Sequence, residues 1–440
     1  MKEKGILLPI YSLPSKYGIG DFGSEAYEFI DILSENGIKY WEILPINACN
    51  RLPYSPISYY ALEEDFISLD KLKSSGLIGN PEERPITDRA VYDNFKIKYY
   101  KEAYANFKKN DKYDRFITHK EMRQYAEYMN KTEGEDVEYY LFLQFILNRQ
   151  WIELKRYANA KNVYIIGDLP FYPVFDSVET IYYPKYYEIK DKKYTFEAGT
   201  PPDYYNNNGQ KWNAPVYNVE NIKKDNYEYI VHRFRYQLKL FDKLRVDYFR
   251  GYDSFFRIPF GLTGKDGEYT DGFSYGFFDE LFKYKNINPD DLIVEDLGDI
   301  RAETERLREH YGFTRQKILQ FSLDLNNSFD IDNDDENVLA FPGNHDCQTL
   351  YGWYKSLSDE HKENVKKFLR NNECNDININ IGMMQYFNKS KSKIDVFTVQ
   401  DILGLDDSAR INLPGVDRAE NWSWKLVDFK SLREEIKNFK

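Results

Sequence analysis

Short apolar runs of five to seven residues recur along the chain. Each is followed by a longer stretch in which apolar positions return every three or four residues. The runs are GILLPI (5–10), YWEILPI (40–46), VYIIGDL (163–169), RVDYF (245–249), LIVEDL (292–297), KILQFSL (317–323), VLAFPG (338–343) and DVFTVQ (395–400). Between them lie EAYEFIDILSENG, LFLQFILNRQWIELKRYANAK, YIVHRFRYQLKLFDKL and AETERLREHYG, whose periodicity predicts helices; the last stops at a glycine, a common helix terminator. Eight strand–helix units of this kind predict an α/β fold, a (β/α)8 TIM barrel within a single domain spanning 1–440. Two stretches are too long for ordinary connections. The segments at about 47–138, after strand two, and about 170–225, after strand three, are expected to form subdomains over the catalytic rim.

Three charged segments fall where an apolar run gives way to a loop: RVDYFRG at Asp247, VEDLG at Glu295 and GNHD at Asp346, about fifty residues apart. In one barrel these carboxylates meet on one rim. Arg245, Asp247 and Phe249 alternate along the predicted strand and so share a face. A charge facing the inside of a barrel strand is costly unless used or neutralised, and Arg245 is placed to keep Asp247 ionised. A structural ion pair at the strand end explains the same residues. Glu295 follows an apolar run and precedes Asp296, surroundings that raise a carboxyl's proton affinity as a general acid requires. A solvent-facing strand end is its plainer reading. Adjacent parallel strands lie about 4.8 Å apart, and a retaining glycosidase needs its two carboxyls about 5–5.5 Å apart, so strands four and five suffice for that chemistry.

Other motifs carry less. His345 beside Asp346 is a possible metal pair, but no third histidine stands at ligand spacing among only five in the chain. The acidic segment 324–337 resembles a calcium loop and fails the test, with Asp335 where glycine is needed and Phe341 where glutamate is needed. Gly18, Gly20 and Gly23 fit the dinucleotide pattern GxGxxG. The loop YSLPSK separates them from the strand, and Asp21 would face the pyrophosphate.

Composition narrows the partners. Sixty basic against 72 acidic residues give a net charge of −12 with no long basic run, which argues against nucleic acid and anionic membranes. Aromatic residues make up 17%, including 39 tyrosines. They crowd with Asn and Gln into 53–66 and 199–218, where flat rings and amides suit a pyranose as well as they suit a loop packed by its own rings. Three scattered cysteines, a six-residue apolar run near the start and no run of about 18 apolar residues predict a cytoplasmic protein.

The chain resembles the 4-α-glucanotransferases, also called amylomaltases or disproportionating enzymes, of family 77 glycoside hydrolases. The likeness runs nearly end to end. It includes GILLPIYSLPSKYGIGDFG, YWEILPI and the run from FLQFILNRQWIELKRYANAK to PFYPVFDS, then AGTPPDYYNNNGQKWNAPVYN, RVDYFRGYD, IVEDLG and NHD. It finishes with QDILGLDDSARINLPGVDRAENWSW. The resemblance implies that Asp247 is the nucleophile, Glu295 the general acid/base and Asp346 the carboxylate that holds the distorted sugar. Arg245 and His345 are implied partners at that subsite, with Gln210, Trp212, Ser55 and Tyr59 as further substrate contacts. It implies no cofactor and no metal, and maltooligosaccharides or starch- and glycogen-derived α-1,4-glucans as partners. The glycine-rich YGIGDFG also belongs to the family pattern. Three segments depart from it: INACNRLPY replaces a stretch usually reading LGPTG, GQKWNAP stands for GQ-x-WGNP, and NHDC for THDN. A glucan hydrolase of the same barrel type and a catalytically silent glucan-binding protein are the alternatives.

Overall fold

The computed structural model describes residues 2–84, 95–202, 207–298, 300–322, 337–416 and 418–439. Eight parallel strands close into a barrel in chain order: β1 (Glu3–Leu7), β2 (Tyr40–Glu42), β3 (Tyr164–Leu169), β4 (Lys243–Val246), β5 (Leu292–Val294), β6 (Thr314–Ile318), β7 (Val338–Phe341) and β8 (Ile394–Thr398). Each pairs with the next, and β8 closes on β1 through Gly5↔Val396 and Leu7↔Thr398. Every strand carries part of an expected apolar run, because strands covered on both faces need continuous apolar sequence.

The expected helices form as well. Ser24–Glu35 buries Phe29, Ile30 and Leu33, and Val137–Ala160 brings Trp151 into the core, where its indole N–H donates to the Leu240 carbonyl at 3.1 Å. Glu228–Leu240 and Ala302–Tyr311 follow, the latter stopped by Gly312 at φ 66°, a left-handed conformation that glycine adopts without steric cost. No helix among the described residues is long and apolar enough to cross a membrane.

Several strands end earlier than their apolar runs. RVDYF leaves the sheet at Val246: Tyr248 turns to φ 48° and the helix Arg250–Asp253 follows, so Phe249 does not share a strand face with Arg245. The runs near 319–322 and 399–402 become short helices, because strand and helix are equally compatible with a few buried apolar residues. The acidic segment 324–337 lies almost wholly outside the described residues.

The stretch after β2 forms short helices, Leu69–Ser74, Ile97–Asn106, Asp111–Phe116 and Lys120–Glu133. The stretch after β3 supplies antiparallel strands Phe196–Thr200 and Gln210–Pro215. Two strands from the loop after β4, Ser254–Pro259 and Glu268–Asp271, complete that sheet. This contribution after β4 was not expected from sequence, because the strand partners are 59 to 63 residues apart and leave no local signature.

The glycine-rich segment serves packing. A Cβ on Gly20 would lie 2.0 Å from the Ile10 carbonyl oxygen, and one on Gly23 2.5 Å from Ser68 Oγ. Asp21 between them is buried against Lys96 Nζ at 3.1 Å. Gly20→Ala is therefore expected to cost about 3 kcal/mol, because the nearest atom is backbone and cannot rotate away. Chemical denaturation measures it, and an unchanged midpoint would contradict the close packing of this loop.

Candidate active site

Asp247 and Glu295 are each the first residue past the end of a strand, on neighbours in register. Val246 of β4 pairs with Val294 of β5, and the Glu295 amide donates to the Val246 carbonyl at 3.0 Å. The two acids thus leave the barrel at the same level. The Tyr248 amide donates to Glu295 Oε2 at 2.8 Å, tying the Glu295 carboxyl to the residue after Asp247. Tyr248 offers that amide because of its left-handed turn, φ 48°.

A cavity of about 750 Å³ opens on this rim. Asp247, Glu295 and Asp346 all line it, with Ser55, Gln210 and Trp212. Trp212 stands edge-on to Tyr248, ring centroids 4.9 Å apart. Asn213 and Ala214, two of the residues that depart from the expected loop pattern, line it too. Of the altered segment after β2, Tyr54 reaches this cavity. Ala48, Cys49, Asn50 and Arg51 border a separate one of about 570 Å³.

Arg245 and His345 stand behind the cavity wall. The Asp247 side chain is 23% exposed and that of Asp346 39%, against 3% for Arg245 and 1% for Asp168 and His345. The two carboxylates face the cavity while their supports are dry. Arg245 Nη1 donates to both oxygens of Asp168, at 2.8 and 3.0 Å, and to Asp247 Oδ1 at 3.0 Å, while Nε donates to Gln316 at 3.2 Å. One guanidinium therefore links β3, β4 and β6.

Tyr59 is placed differently from the sequence expectation. It is 1% exposed, its hydroxyl lies 2.6 Å from that of Tyr217, and its ring faces the Arg233 guanidinium at 3.4 Å. It supports the wall from outside the cavity. The tyrosine of this loop that lines the cavity is Tyr54. Its hydroxyl donates to Asp168 Oδ2 at 2.5 Å and lies 2.8 Å from His345 Nε2, with the two rings stacked at 5.2 Å. Because Tyr54 gives its one proton to Asp168, His345 must donate from Nε2, which leaves Nδ1 without a proton. Burial lowers the His345 pKa to about 4, so the ring is neutral. Among the described residues no group of three or more His, Cys, Asp or Glu could hold a metal ion.

Asp346 is set by the chain's last loop. Asn412 Nδ2 donates to its Oδ1 at 2.7 Å, and Arg410 donates to the Asp346 and Asn412 carbonyls at 2.6 Å each. Asp168, Tyr54 and Asn412 were missed from sequence. Asp168 carried the signal used for the other acids, a carboxylate at the end of an apolar run. Tyr54 sat in a loop already marked as aromatic, whereas nothing local singled out Asn412.

The electrostatics separate the two central acids. Burial pushes Glu295 up to about 8, and among the described residues its carboxyl is hydrogen-bonded by the Tyr248 amide and not by a cation. Burial raises Asp247 too, and there Arg245 opposes the rise directly. Glu42, at the end of β2, is 2% exposed and is also pushed up to about 8 by burial. The site therefore pairs a carboxyl that keeps its proton up to about pH 8 with one hydrogen-bonded to a guanidinium, a pairing suited to an acid and a nucleophile.

The family pattern described as 4-alpha-glucanotransferase matches residues 8–134 and 121–430. The chain belongs to this family. A 4-alpha-glucanotransferase from Aquifex aeolicus is 32% identical to it, over 99% of this chain and 98% of the relative. One from Clostridium butyricum is 33% identical over 95% of each. Among solved structures, the amylomaltase from Streptococcus agalactiae in complex with acarbose superposes with a TM-score of 0.91 at 28% identity, covering 100% of this chain and 98% of that one. The (β/α)8 barrel and the transferase activity expected from sequence both stand.

Arg245→Met leaves Asp168 and Asp247 buried without their cation, so both take up protons more readily. The expected outcome is an acid limb of the kcat profile displaced to higher pH, with turnover at pH 6 reduced roughly 100-fold or more. A pH profile of unchanged position would contradict the ionic role.

Proposed function

We propose that the chain transfers segments of α-1,4-glucan with retention of configuration, through a covalent intermediate on Asp247. The observation that carries this is the pair of acids at matching strand ends with opposite electrostatic surroundings. Asp247 attacks the anomeric carbon; the C1–O4 bond breaks and an ester bond from C1 to the Asp247 carboxylate forms. Glu295 gives its proton to the departing O4. The 4-hydroxyl of an acceptor glucan then enters, loses its proton to the Glu295 carboxylate, and displaces Asp247 from C1. Asp346, fixed by Asn412, accepts hydrogen bonds from hydroxyls of the distorted sugar. Ser55, Gln210 and Trp212 contact neighbouring sugars.

Arg245 keeps Asp247 anionic enough to attack, and neutral His345 and Tyr54 pack the wall without adding a charge. The surrounding carboxylates also favour the positive charge that develops on the sugar ring in the transition state. Maltooligosaccharides are the fitting substrates, because the Streptococcus agalactiae amylomaltase that shares this fold is in complex with acarbose. The family supports transfer over hydrolysis, and the intact acid pair speaks against a silent binding protein.

Incubation with maltotriose gives both longer oligosaccharides and free glucose if the proposal holds; shortening alone would sink it. Asp247→Ala abolishes the ladder, with a loss of roughly 1,000-fold or more. Glu295 must be protonated for the first step, so kcat should fall as the pH rises through about 8. A rate that stays flat to pH 10 would remove Glu295 from the acid role.

A further inference from the structure

A long glucan outruns the cavity. A volume of about 750 Å³ is that of a site for a small ligand, so a longer chain has to continue over the rim. On one side the cavity wall ends at Pro173 and Val174, and Phe175 follows directly. There Phe175 meets Tyr194 nearly edge-on at 4.5 Å and Phe260 at 5.5 Å, with interplanar angles of 64° and 86°. Tyr194 and Phe260 themselves lie only 27° from parallel, centroids 6.2 Å apart. Two of the rings thus lie nearly parallel, and the third stands steeply against both.

The backbone fixes this group to the catalytic rim. The Val174 amide donates to the Pro56 carbonyl at 3.1 Å, next to cavity-lining Ser55, and the Phe260 amide donates to the Thr195 carbonyl at 3.0 Å. Phe260 directly follows the strand Ser254–Pro259, which belongs to the sheet that also carries Gln210 and Trp212 into the cavity. Tyr194 is oriented from its polar end: its hydroxyl receives the Asp176 amide at 2.7 Å and lies 3.1 Å from Asp176 Oδ1.

The fold gains little from Phe260, which keeps 53% of its surface in water beside Leu262 at 49%. Flat rings with hydroxyls and a carboxylate close by are what an amphipathic sugar chain needs, with its apolar C–H faces and polar edges. We propose that Phe175, Tyr194 and Phe260 form an accessory platform that binds the α-1,4-glucan beyond the catalytic cavity. This rests on the transfer reading above and extends it to the binding of long chains. A chain held there occupies the rim between the two half-reactions, which favours a sugar acceptor over water.

The test compares the full-length wild type with Phe260→Ala and with Phe175→Ala/Phe260→Ala, on maltotriose and on a long linear amylose. For both variants the expected result is a KM for amylose raised about three- to tenfold, with maltotriose kinetics within about twofold of wild type. Because Phe260 is half in water, its variant keeps the wild-type unfolding midpoint and reads binding rather than folding. An unchanged amylose KM in both variants overturns the platform, and so do equal losses on the two substrates. If the wild type itself fails to lengthen maltotriose, the transfer reading has failed instead, so the two failures are distinguishable.

Discussion

The Arg245 guanidinium is the interaction on which the site depends. It sits behind the cavity wall, where its charge is held by Asp168 and Asp247. Removing water from a carboxylate favours its neutral form, and burial pushes Asp168, Asp247, Glu295 and Glu42 in that direction. A single cation cannot offset all of them. Its hydrogen bonds to acids go to Asp168 and Asp247, while Glu295 and Glu42, which it opposes only through space, are carried by burial up to about 8. Where that one positive charge makes its hydrogen bonds is what distinguishes the surroundings of Asp247 from those of Glu295.

The barrel makes that aim possible. Parallel strands in register set Asp168 level with Arg245, and Asp247 level with Glu295 two residues further on, without long loops. Side chains further out are then added by connections of any length. Tyr54 and Ser55 come from the loop after β2, Trp212 from the sheet after β3, and Asn412 from the loop after β8. The strand ends carry Asp168, Arg245, Asp247 and Glu295, and the longer connections add the outer wall of the cavity. The aromatic group at Phe175, Tyr194 and Phe260 belongs to those connections.

What could be read from the sequence follows the same division. The eight apolar runs, and the acids that end them, are short-range patterns, so the barrel and the positions of Asp247, Glu295 and Asp346 were legible. Strand ends were not: Tyr248 turns to φ 48°, which lets its amide bind the Glu295 carboxyl, a partner 47 residues distant. Tyr59 and Tyr54 are indistinguishable locally, and only the fold decides that Tyr59 packs against Arg233 while Tyr54 lines the cavity. The sheet completed by Ser254–Pro259 and the brace of Asn412 on Asp346 depend on contacts between distant segments, which no local periodicity reports.

Trapping the intermediate tests the central claim most directly. Glu295→Gln protein mixed with α-maltosyl fluoride needs no acid for the first step, because fluoride departs unaided, yet lacks the base for the second. Mass spectrometry of the digested protein should find one maltosyl unit on the peptide carrying Asp247. An adduct on another residue, or none while the sugar fluoride is consumed, would contradict the account.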